Sequence, residues 1–306
     1  MIEVEHLTKK YGDLTAVNDL GFKVEKGRIW GLLGPNAAGK TTTMRILTGF
    51  LPATGGRATV AGFDVFEKPD QVKRIIGYLP EVVPVYPEMT VSEYLGFVAA
   101  IKQVPSAKRA AALDRAITIS GLTEVRRRLI KNISRGYKQR VGIAQALIHN
   151  PDVLILDEPT IGLDPAQIKE IRELIKSLKG EHTIMLSTHI LPEVTQTCDG
   201  VVIINRGQLM ASGSLEELTA SFRKKDGVVL KLRRAGDEVV AALKKLSGVD
   251  GVSRENGDLK VEWSPEKDLR EMVARLAVNQ EWGLLEMRAL ATNIEDVYLR
   301  IVGGEQ

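Results

Sequence analysis

Short runs of apolar residues bounded by glycine and polar residues alternate with longer stretches in which apolar positions recur every three to four residues. RIWGLLG (28–34), VLIL (153–156), TIMLS (183–187) and VVII (201–204) have the length and continuity of strands buried on both faces. TTTMRILTGF from Thr41, TVSEYLGFVAAI, SAKRAAALDRAITISGL and the segment following Gly136 carry the helical period. The alternation predicts an α/β fold, with a helical stretch over about residues 84–150 inserted between its strands.

Beyond about residue 220 the pattern changes. VVLKL (228–232) reads as a strand, a helix follows around Val239, Leu243 and Leu246, and a short strand lies near Val252. Glu255-Asn256-Gly257-Asp258 is a hairpin turn leading into LKVEW. Ser264-Pro265 is expected to open a helix as cap and first-turn proline, with Leu269, Met272, Val273 and Leu276 on one face. WGLLEMR is a strand, and Thr292 with Glu295 would cap a final helix. The order βαββαβ plus a helix suggests a small α+β, ferredoxin-like module. The expected division is therefore 1–220 and 221–306. No cluster of titratable groups marks the second part, so it is read as a dimerisation or regulatory module.

Composition narrows the class. The chain has 306 residues, 44% of them apolar, and a formal net charge of only +3. Residues 126–140 hold seven basic residues and no acidic one, yet no stacking aromatics are interleaved and no binding motif is present, so no nucleic-acid partner is expected. A single cysteine, Cys198, excludes an intramolecular disulfide and fits a reducing compartment. MIEVEHLTKKYG lacks the apolar core of a signal peptide, and no apolar run approaches the ~18 residues of a membrane span, so any membrane role requires a partner.

Chemistry concentrates at strand ends. Gly34, Gly39, Lys40 and Thr41 satisfy GxxxxGK[ST] at a strand-to-helix switch, where backbone N–H groups cradle a polyphosphate, the lysine reaches β/γ-phosphates and the hydroxyl ligates Mg²⁺. Ala37 and Ala38 stand where glycine is often found, and a methyl is expected to fit there on the assumption of negative φ. VLILDEPT (153–160) ends a buried strand with two adjacent carboxylates, a costly arrangement without a cation or shared proton. Asp157 is read as an outer Mg²⁺ ligand, and Glu158 as the residue that orients and deprotonates water. Ser134 and Gly136 precede a helix that leads directly into that strand.

Taken together, these residues resemble the nucleotide-binding subunit of an ATP-binding cassette (ABC) transporter. Ser134-Arg135-Gly136-Tyr137-Lys138-Gln139-Arg140 is similar to the family signature Leu-Ser-Gly-Gly-Gln plus a basic residue, Gln and Arg, with Ile133, Arg135 and Tyr137 departing from it. The resemblance covers about residues 2–220 and implies a P-loop NTPase core with an inserted helical subdomain. It implies ATP contacts from Tyr11, Gly34, Pro35, Asn36, Ala37, Ala38, Gly39, Lys40, Thr41, Thr42, Ser134, Gly136 and Asp164. Tyr11 matches the adenine-stacking aromatic, though a surface-strand tyrosine reads equally well. Asp164, in Gly162-Leu163-Asp164-Pro165, matches the loop that communicates across a dimer, and His189 the switch histidine at the γ-phosphate. Glu81 stands where most of the family has glutamine, as in ATPases resembling ABC-2-type exporters of the gliding-motility-like group, and is expected to contact Mg²⁺ directly or through water.

The resemblance further implies ATP and Mg²⁺ as cofactors and a homodimer or heterodimer of such subunits. It implies a separate ABC-2-type transmembrane permease, and hence a cytoplasmic position on the inner face of the membrane. Pro84, Tyr86, Pro87 and Met89 form either a docking entrance for that permease or a packed subdomain boundary. A soluble ABC ATPase acting in assembly or repair, without a membrane partner, is the alternative.

Overall fold

The computed structural model describes residues 1–221, 226–255, 257–290, 295 and 298–299. The chain forms two compact units, Met1–Leu215 and Glu216–Arg300.

In the first unit, β1 (Ile2–Tyr11) and β2 (Leu14–Val24) form an antiparallel pair whose apolar residues alternate inward. β3 (Ile29–Leu33) follows, buried at all five positions, and leads through the loop of residues 34–39 into α1 (Lys40–Leu47). β4 (Gly55–Val60) and β5 (Phe63–Asp64) complete a four-stranded sheet in the order β2-β1-β4-β5. After α2 (Pro69–Ile75) and β6 (Ile76–Leu79) come three helices, α3 (Val91–Ile101), α4 (Ser106–Ile119) and α5 (Arg135–Leu147). They share a core of their own, with Tyr94, Leu95, Ile117, Leu122, Ile130 and Val141 among its buried members. Thr90 and Glu93 close a reciprocal capping box at the start of α3, an arrangement worth about 1 kcal/mol.

The chain then returns to the main sheet through β7 (Val153–Asp157), α6 (Pro165–Ser177), β8 (Thr183–Thr188), α7 (Leu191–Thr197), β9 (Gly200–Asn205) and β10 (Gln208–Ser214). The sheet order is β10-β9-β3-β8-β7-β6, parallel except for β10. Successive strands do not pair successively, so β3, β7 and β8 end side by side at one rim, where ligands of parallel sheets bind.

After α8 (Leu215–Ser221), the second unit runs β11 (Asp226–Leu232), α9 (Asp237–Lys244), β12 (Val249–Glu255), β13 (Asp258–Trp263), α10 (Arg270–Asn279) and β14 (Leu284–Ala289). Its sheet is antiparallel in the order β12-β13-β11-β14. Val228, Leu230, Val239, Leu243, Val261, Trp263 and Val273 form the core. Glu255 pairs with Asp258 across the tight hairpin.

The helix expected from Ser264-Pro265 starts instead at Arg270, because the Asp268 carboxylate accepts the Arg270 N–H at 3.1 Å and holds the preceding residues in a turn. Met272, assigned to the apolar face, is 44% exposed; Leu269, Val273 and Ala277 fill that role. The expected cap at Thr292 lies outside the described residues.

Candidate functional site

The loop between β3 and α1 is shaped by close approach. A Cβ on Gly34 would fall 2.3 Å from the Ile204 carbonyl oxygen, and Gly39 adopts φ 103° with its Cβ position 2.6 Å from the Ala16 oxygen, so neither position admits a side chain. Ala38 is buried, donating to Pro35 O at 3.2 Å and accepting from Gly207 N at 3.0 Å. Ala37 corrects the sequence expectation. It stands at φ 63°, in the left-handed region, and its methyl carries a backbone cost of about 1–2 kcal/mol that glycine avoids. Asn36 and Ala37 form the exposed crest of the loop, while Pro35 and Thr42 are half-buried on either side of it.

Lys40 is buried, and its Nζ donates to the carbonyls of Gly34 (2.8 Å) and Pro35 (3.2 Å) while lying 3.4 Å from Glu158 Oε1. Thr41 Oγ1 donates to Asp157 Oδ1 at 3.4 Å. Asp157, at the end of β7, is 1% exposed; its Oδ1 also accepts the Ser187 hydroxyl at 2.6 Å, while its buried Oδ2 has no partner. A hard cation fits this donor set. Mg²⁺ takes oxygen ligands and is held by one or two carboxylates together with ligand phosphates. Among the described residues no group of three or more His, Cys, Asp and Glu side chains is placed to hold a metal ion.

Glu158 follows at φ 48°, a strained value for a residue with a side chain. Its N–H donates to Ser187 Oγ at 2.9 Å, and its carboxylate meets Lys40 on one oxygen and His189 Nδ1, at 3.1 Å, on the other. His189 stands just past β8 with its side chain 39% exposed, so the imidazole bridges a buried carboxylate and solvent.

Ser134, Gly136 and Asp164 gather elsewhere, around a cavity of about 390 Å³ that also includes Tyr137, Arg140 and Gln167. Ser134 caps α5 by accepting the Tyr137 N–H at 3.3 Å, and Asp164 caps α6 by accepting the Gln167 N–H at 2.9 Å. Among the described residues no hydrogen bond links this cluster to Lys40 or Glu158. Tyr11 ends β1, 46% exposed, with Lys9 Nζ 5.1 Å from its ring centroid. Glu81 is exposed just beyond β6, without a hydrogen bond to Asp157 or Glu158 among the described residues.

Four polar residues of the site escape a reading by motif: Thr160, Ser187, Thr188 and Glu193. All four are buried around the end of β7 that bears the two carboxylates and the end of β8 that leads into His189. The available signal is the run of hydroxyls closing an otherwise apolar strand in TIMLST, continued by an acidic residue four positions after His189.

A phosphate loop, an adjacent carboxylate pair and a histidine at the rim of a parallel sheet define a nucleotide-hydrolysing cassette. Residues 17–161 match the ABC transporter family, and the chain belongs to it as an ATP-binding subunit and an ATPase. It is 32% identical to the linearmycin resistance ATP-binding protein LnrL of Bacillus subtilis, over 99% of this chain and 98% of that one. It is 35% identical to the bacitracin transport ATP-binding protein BcrA of Bacillus licheniformis, over the same shares. Among solved structures, an ATP-binding subunit of an ABC transporter superposes with a TM-score of 0.66 at 30% identity, covering 72% of this chain and 93% of the other.

Proposed function

We propose that this chain is the motor subunit of an ABC-2-type exporter, hydrolysing ATP on the inner face of the cell membrane to drive efflux through a separate permease. The observation that carries the reading is the meeting of Lys40, Thr41, Asp157, Glu158 and His189 at one sheet rim, with the Asp157 Oδ2 bare. Full-length similarity to subunits named for linearmycin resistance and bacitracin transport favours export. No helix among the described residues is long and apolar enough to cross a membrane, and in this reading the translocation path belongs to the permease.

In this reading the loop amides and Lys40 hold the β- and γ-phosphates, and Tyr11 stacks on the adenine. Thr41, Asp157 and Glu81 would hold Mg²⁺, which supplies charge neutralisation on the phosphates. Glu158 takes the proton of the attacking water, and its neighbour His189 contacts the γ-phosphate and keeps the carboxylate oriented. Ser134 and Gly136 sit apart from this cluster, so they serve the ATP of a second subunit in a head-to-tail dimer, with Asp164 at the seam. ATP binds the closed pair better than the open one, and loss of the γ-phosphate reopens it.

The permease docks at a groove of about 470 Å³ lined by Arg45, Phe50, Tyr78, Pro80, Pro84 and Val98, where the first unit's inserted helices meet its main sheet. Phe50 is 74% exposed there, and Tyr86 stacks edge-on against Tyr94 and Phe97 beside it. Glu158→Gln tests the reading: it should bind ATP, accumulate as a dimer and lose turnover, and from solubilised membranes it should retain a polytopic partner. Normal turnover overturns the base assignment, and a soluble companion overturns the exporter assignment.

A further inference from the structure

Glu193 lies on the first turn of α7, 6% exposed, between two segments that carry the reacting groups. Its Oε1 accepts the Thr160 hydroxyl at 2.5 Å and its Oε2 the Thr188 hydroxyl at 2.7 Å. Thr160 is two residues beyond Glu158, and Thr188 is one residue before His189. Thr188 Oγ1 also accepts the Ile190 N–H at 3.0 Å, which fixes the backbone on the far side of the histidine. All three side chains are buried. We infer that Glu193 is a positioning residue for hydrolysis: its two oxygens tie the strand end bearing Glu158 to the strand end bearing His189 and so set the contact between that carboxylate and that imidazole.

The need for such a tie follows from the local backbone. Glu158 is held at φ 48°, a conformation that persists only where its surroundings impose it. Ser187 secures its N–H from one side. Glu193, acting through Thr160, secures the chain just after it. His189 has no bond from its own ring other than that to Glu158 among the described residues, so its placement depends on the backbone that Thr188 anchors. One carboxylate thus couples both placements, and displacing either segment separates base from histidine.

The inference rests on Glu158 as the base, and the experiment separates the two. Steady-state ATP hydrolysis is measured for Thr160→Val and Thr188→Val, which keep side-chain shape and remove the hydroxyl, and for Thr160→Ser and Thr188→Ser, which keep it. Each valine variant should lower kcat roughly tenfold or more, with KM for ATP nearly unchanged, and each serine variant should recover most of the loss. Glu193→Gln should lower kcat in the wild-type background and add little in a His189→Ala background, whereas a purely structural residue would cost the same factor in both. Valine variants with wild-type kcat beside an inactive Glu158→Gln overturn this inference and leave the base assignment standing. An active Glu158→Gln overturns both.

Discussion

Ser187→Ala removes a single oxygen that makes two bonds in a fully buried place. The hydroxyl accepts the Glu158 N–H at 2.9 Å and donates to Asp157 Oδ1 at 2.6 Å. Without it the Glu158 amide is an orphaned buried donor, and Asp157 keeps only the long 3.4 Å contact from Thr41. An unsatisfied buried donor costs about 1–3 kcal/mol and a hydrogen bond to a charged group about 1.5–3 kcal/mol, so the low ends of both ranges together give a loss of about 2.5 kcal/mol. In a unit the size of Met1–Leu215 each kcal/mol shifts the melting temperature by about 2–4 °C, so calorimetry should show a fall of about 5–10 °C. The Mg²⁺ concentration for half-maximal hydrolysis should rise as well, because Asp157 loses the bond that aims it. A shift under about 2 °C with an unchanged Mg²⁺ titration would refute the reasoning, since it would show that the hydroxyl holds neither group.

Gly39→Ala should abolish ATP binding and destabilise the unit by roughly 2–4 kcal/mol in a denaturant titration, because φ 103° and the Ala16 oxygen both oppose a methyl. By contrast, Ala37→Gly should change stability by less than about 1 kcal/mol, relief of the left-handed strain being offset by the greater freedom of unfolded glycine. Burial, and then the Lys102 charge, pushes His149 down to about 4. The unfolded chain therefore binds more protons between about pH 4 and 6.5, so stability falls as pH drops through that window, by at most about 1.4 kcal/mol per pH unit. His149→Gln, which keeps an N–H for the Ile76 carbonyl, should flatten that part of a melting-versus-pH curve. Glu81→Gln should weaken the Mg²⁺ dependence of hydrolysis; an unchanged titration curve excludes Glu81 from the metal site.

What the sequence made legible were contiguous chemical strings. Lys40 and Thr41 could be singled out because they open the helix after the glycine loop that leaves β3, and Asp157, Glu158 and His189 because they end or directly follow buried strands; parallel pairing of β3, β7 and β8 then sets these ends side by side. Ala37 was misread because φ is imposed by the loop's closure and leaves no trace in composition. The start of α10 was misplaced because Ser264-Pro265 satisfies local capping rules, while Asp268 competes for the same backbone and the apolar face begins only at Leu269. Ser187 and Glu193 belong to no motif, and their roles were not legible for a different reason. Their partners lie 29–33 residues away for Glu158 and Thr160, and only the pairing of β7 with β8 brings those segments together.

The central position of β3 has a thermodynamic consequence. It lies between β8 and β9 with every residue buried, so its amides should exchange with solvent only when the whole first unit opens. A nucleotide gripped at the end of this strand is then lost only together with the fold or by simple dissociation, never by local fraying of its support. Occupancy therefore adds to global stability, by about 2.7 kcal/mol at a ligand concentration one hundred times Kd. Melting temperature becomes a direct gauge of nucleotide affinity, applicable even to variants that no longer turn over.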